Sequence, residues 1–171
     1  TTFLAPTQDQ QPFQVGRVKT RYDSVADVTT AQCELVELGQ GAPRLIVLAN
    51  ASFIGKEPKN NATFWLGLSS YKGGATRRTQ RSFKEATTLY LTVDSTRLEV
   101  QVKDYRNDFY ELNSLLAESA RAEISREDLR KLLDAKRVEG RWGEIEFKVS
   151  GTTLASLKDF ISHEVFAAGD H

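Results

Sequence analysis

The sequence predicts a mainly β protein: an antiparallel β-sandwich or open barrel of about eight strands, with two amphipathic helices in its C-terminal half. Three observations carry this. Apolar and polar residues alternate with a period of two through the first hundred positions. Two later stretches satisfy a hairpin register on both faces at once. A helix-start signal and a 3.6-residue apolar stripe occur only after position 124. The late order of strand, helix, hairpin, helix leaves an α+β layout as the alternative. With 171 residues, no repeat and no internal break in composition, the chain reads as one domain over 14–171. A flexible N-terminal segment, 1–13, rich in Gln, Thr and Pro, precedes it.

Taken in order, "GRVKTRYD" (16–23) alternates Val18, Thr20 and Tyr22 against Arg17, Lys19 and Arg21. "TTAQCELVEL" (29–38) follows the turn "SVAD". "RLIVLANASFIG" (44–55) is apolar on both faces in its first half, as a central strand is. "KEPKNN" breaks the chain, and "TFWLGLSSY" (63–71) alternates again. Over 87–105, a two-residue turn at Asp94-Ser95 pairs Val93 with Thr96, Leu91 with Leu98 and Leu89 with Val100, so every apolar side chain shares one face. "NSLLAESARAEI" (113–124) reads as a strand, because a capping signal, "SRED", comes directly after it with Ser125 at the cap. The helix 126–135 then carries Leu129, Leu132 and Leu133. A turn on Gly143-Glu144 folds 136–150 so that Trp142 meets Ile145 and Gly140 meets Phe147. Arg141 faces Glu146, and Glu139 faces Lys148, on the other side. "TTLASLKDFISHEVF" (152–166) aligns Leu154, Leu157, Phe160, Ile161 and Val165 on one helical stripe.

Composition excludes several chemistries. The 23 basic and 23 acidic residues balance, so no global field draws the chain to nucleic acid. The single cysteine, Cys33, rules out an intramolecular disulfide and a thiolate zinc site, and its place in a strand pattern makes it a core thiol. His163 and His171 are too few and too far apart for a metal site. There is no P-loop, no GxSxG and no HExxH, so no cofactor is expected. No apolar run is long enough to span a membrane. The opening composition suits the tether behind a cleaved export signal, which favours an extracytoplasmic (secreted or periplasmic) location over a cytoplasmic one. Asn50 and Asn61 begin glycosylation-type triplets; only Asn61 falls in a loop.

What remains is a set of binding candidates. "YKGGATRRTQRSFK" (71–84) holds Lys72, Arg77, Arg78, Arg81 and Lys84 with no acid, and it joins two strands. As an exposed, mobile loop it can meet an acidic protein or an anionic ligand through its arginines, or serve only as a solvated connection. Trp65 and Tyr71 alternate opposite to Phe64, Leu66 and Leu68, and form the candidate face for a glycan or small ligand. Asp104, Asp108 and Glu111 lie among Tyr105, Phe109 and Tyr110, which raises paired-carboxylate hydrolysis as a third possibility. The plain reading of 104–111 is an irregular connection with its acids in water. The leading expectation is a non-enzymatic protein that binds a partner.

Overall fold

The computed structural model describes residues 12–39, 44–58 and 61–166. The expected segment 1–13 lies outside them but for its last two positions. Among the described residues, nine strands form one antiparallel sheet: β1 (Val18–Asp23), β2 (Val28–Leu38), β3 (Arg44–Ile54), β4 (Thr63–Lys72), β5 (Thr88–Val93), β6 (Thr96–Tyr110), β7 (Leu115–Glu123), β8 (Val138–Trp142) and β9 (Ile145–Val149). Two helices, α1 (Arg126–Asp134) and α2 (Thr152–Glu164), belong to the C-terminal half. The strand order is β1-β2-β3-β4-β7-β6-β5-β8-β9. The sheet curls into a half-barrel, the open-barrel form of the expected architecture, and the helices sit in its hollow.

The curl turns on β6. Its residues up to Gln101 pair with β5 on one edge, and those from Val102 pair with β7 on the other. Between Lys103 and Arg106 the register shifts, and Asp104 takes a left-handed conformation at φ 55°. A bulge of this kind bends a strand and strengthens its twist. The stretch 104–111 is therefore strand up to Tyr110, followed by a single 3-10 turn, rather than an irregular connection. Sequence alternation is weak there because both faces are largely exposed.

Both hairpins hold the expected registers. Trp142 pairs with Ile145, Gly140 with Phe147 and Arg141 with Glu146; Val93 pairs with Thr96 and Leu89 with Val100. Ser125 caps α1 by accepting the Asp128 amide at 3.2 Å, while the Asp128 carboxylate turns to Lys131. Every apolar residue expected on the α2 stripe is buried, and Phe160 meets Phe64 of β4 with ring centroids 6.3 Å apart. In the core, side chains from β2, β3, β4, β5, β8, β9, α1 and α2 enclose a void of about 10 Å³. That is at the lower limit for one water molecule, so at this point the hollow is filled by helices.

Candidate functional site

The segment between β4 and β5 crosses the width of β7 and β6, since those two strands lie between its ends in the sheet. It is tied down along the way. The Ala75 amide donates to the Ser114 carbonyl at 2.8 Å, and the Val102 amide to the Thr87 carbonyl at 2.9 Å. Phe83 is 5% exposed and stacks on Trp142 with centroids 4.0 Å apart, while the Trp142 indole donates to the Ala86 carbonyl at 3.2 Å. The Phe83 amide donates to Glu118 at 3.1 Å. Rather than a free loop, the stretch 72–84 begins a cap over one end of the half-barrel.

Its arginines are spent unevenly. Arg77 forms an ion pair with Glu111, its Nε donating at 2.6 Å. Arg81 donates to Asn107 at 3.3 Å and to the carbonyls of Arg77 and Thr79 at 2.8 and 2.5 Å. Lys72, Arg78 and Lys84 are exposed, and their side chains have no ion-pair partner among the described residues. Arg77 and Arg81 thus serve separate partners, and of the three arginines only Arg78 is left for a ligand.

Glu118 was not singled out from the sequence. It is 4% exposed on the concave side of β7, accepting from the Tyr105 hydroxyl at 2.7 Å as well as from Phe83. Burial, and then the Glu118 carboxylate, hold the Tyr105 hydroxyl well above its usual range. One signal was available: Leu116, Glu118, Ala120 and Ala122 share a strand face, and a carboxylate amid such neighbours marks a buried acid. The residue anchors the cap.

The other candidates are dispersed. Trp65 is half-buried on the convex face, with the Arg121 guanidinium 4.5 Å from its ring centroid. Tyr71 lies six residues along β4, about 20 Å away at strand rise, so the two rings cannot flank one sugar. Asp104 pairs with Arg121 at 3.6 Å, and Glu111 with Arg77. Asp104 and Asp108 are exposed, so no carboxylate pair shares an apolar cleft. Cys33 is fully buried and its thiol is pushed up to about 11 by burial and the neighbouring Glu34, which removes thiolate chemistry at neutral pH. His163 is exposed, its ring against the Asp159 carbonyl. Asn50 lies inside β3 and is 6% exposed; Asn61 is exposed in a turn. Among the described residues no cluster of His, Cys, Asp or Glu is arranged for a metal, and no helix is long and apolar enough to cross a membrane.

A different place stands out where the β5–β6 and β8–β9 hairpins lie side by side. A pocket of about 620 Å³ is bordered by Leu38 at the end of β2, by Tyr90 and Arg97 of β5–β6, and by Arg141, Glu146 and Lys148 of β8–β9. Two guanidiniums lie over the Tyr90 ring, Arg97 at 4.4 Å and Arg141 at 4.9 Å from its centroid. Arg141 faces Glu146 in register, yet no ion pair joins them. Arg97 makes one exposed contact to Glu99 at 3.5 Å. Glu139, the other acid bordering the pocket, is taken by Arg137 and Lys148. No protein-family model, curated protein or solved structure matches the chain. Its chemistry is read from this geometry alone.

Proposed function

We propose that the protein is a non-catalytic binding protein, and that it holds an anionic group of its partner in the pocket over Tyr90. The observation that carries this reading is the pair of guanidiniums fixed over one aromatic ring without a full carboxylate partner. Arginine forks suit carboxylate or phosphate, and the ring beneath them limits the orientations they lose on binding. Leu38 offers the ligand's apolar part a contact on the opposite wall. The dispersal of Asp104, Asp108, Glu111, Cys33 and His163 supports binding over catalysis.

The test is an NMR titration of isotope-labelled protein with inorganic phosphate, and separately with a short glutamate-rich peptide. We expect the largest shifts at Tyr90, Arg97 and Arg141, and their loss in the Arg97→Gln/Arg141→Gln double variant with its melting temperature unchanged. Affinity should fall with salt, as exposed charges are screened over about 8–10 Å. Shifts centred on Lys72, Arg78 and Lys84 would instead move the site to the cap and overturn the Tyr90 assignment.

A further inference from the structure

We propose that β1 is a strand-addition site for an extended segment of a partner protein, one in which acidic and apolar residues alternate. All six residues of β1 are exposed, although the strand is fully paired with β2 on its other side. Among the described residues it ends the sheet, and its outer edge has no neighbouring strand there. The Glu34 amide donates to the Arg17 carbonyl at 3.1 Å. Antiparallel pairing alternates, so in the continuing register Lys19, Arg21 and Asp23 bond to β2 while the backbone groups of Val18, Thr20 and Tyr22 point outward. This is a ladder of donors and acceptors ready for another strand.

The side chains state what that strand carries. Lys19 and Arg21 stand on the convex face, and neither forms an ion pair among the described residues. Val18 and Tyr22, 48% and 38% exposed, stand on the concave face, the Tyr22 hydroxyl donating to Asp27 at 2.9 Å and the Lys56 ammonium 5.1 Å from its ring centroid. A strand with acids opposite Lys19 and Arg21, and apolar residues opposite Val18 and Tyr22, complements both faces. A second copy of this chain fits poorly. A two-fold centred on Thr20 sets Lys19 against Arg21 twice, and one centred on Arg21 pairs Lys19 with Asp23 but sets Arg21 against itself, so neither register satisfies both cations.

The experiment uses the full chain in the Arg97→Gln/Arg141→Gln background, so that an acidic peptide cannot use the Tyr90 pocket. The probe is a soluble peptide alternating valine and glutamate; its control replaces glutamate by lysine. Binding is read by fluorescence anisotropy, and its place by amide hydrogen exchange. We expect the acidic peptide to bind and the control not to, with new protection at Val18, Thr20 and Tyr22. Thr20→Pro removes an outward N–H that the β2 ladder does not use, a tolerated position for proline in an edge strand. It should weaken binding about tenfold or more. Lys19→Glu/Arg21→Glu should exchange the preference toward the lysine peptide. Three results would overturn the proposal: no binding, binding that Thr20→Pro leaves intact, or self-association through β1 without peptide binding.

Discussion

At the scale of single residues, side chains standing where their type is unusual carry most of the information. Gly140 is one. The ring of Phe147, its partner across β8–β9, lies so close that a Cβ on Gly140 would come within 2.2 Å of it. Phe147 is 3% exposed and cannot swing away without disturbing the core. Gly140→Ala should therefore destabilise the protein by about 1–3 kcal/mol, the usual cost of overpacking, although alanine is the better residue in most strands. A denaturant midpoint equal to that of the parent protein would show that the ring moves freely. The sequence placed Gly140 opposite Phe147 but not the ring over the glycine, because a rotamer is fixed by tertiary neighbours. Glu118 had a clearer mark, a carboxylate on an apolar strand face. Arg141 had a misleading one: the register that set it against Glu146 is correct, yet Tyr90, from a strand far earlier in the chain, takes up the guanidinium.

At the scale of elements, locally paired pieces were legible and long-range ones were not. The 87–105 and 136–150 hairpins follow from turn residues and facing pairs a few positions apart. So does the α2 stripe, whose buried members match the helical period. The partners of β7 are β4 and β6, and those of β8 are β5 and β9, so one pairing of each, β7 with β4 and β8 with β5, depends on how the chain returns on itself. The segment 72–84 shows the same limit. Five cations and two glycines suggest a mobile loop, but its one large apolar residue, Phe83, locks onto Trp142 and makes it a cap. Phe83→Ala should cost about 3–5 kcal/mol, as other large buried aromatics do. Amide exchange should then quicken first at Ala75, Phe83 and Val102, whose bonds hold the cap to the sheet. Uniform loss of protection across the sheet, with no early opening at those amides, would show that the cap has no stability of its own to lose.

For the whole molecule, the question is whether the two parts of the curled sheet behave as one. β1 to β4 and β7 lie on one side of the β6 bulge, and β5, β8 and β9 on the other. A strand that changes partners part-way is a poor hinge, because separating the parts would cut its own ladder. The core is also continuous across the divide: Leu66 from one part and Leu91, Val138 and Phe147 from the other surround the same small void with α1 and α2. Opening either part alone would expose the helices' buried faces at full cost while recovering little chain entropy, which favours a single cooperative transition. The chain's two tryptophans fall one to each part, Trp65 on β4 and Trp142 on β8. Trp65→Phe leaves a reporter of the β8 side, and far-ultraviolet circular dichroism reports the sheet as a whole. In urea, the Trp142 fluorescence of that variant should change with the same midpoint and slope as its dichroism. Two separated midpoints would mean that the bulge divides the protein into independently folding units, and that burial around the shared void is too weak to couple them.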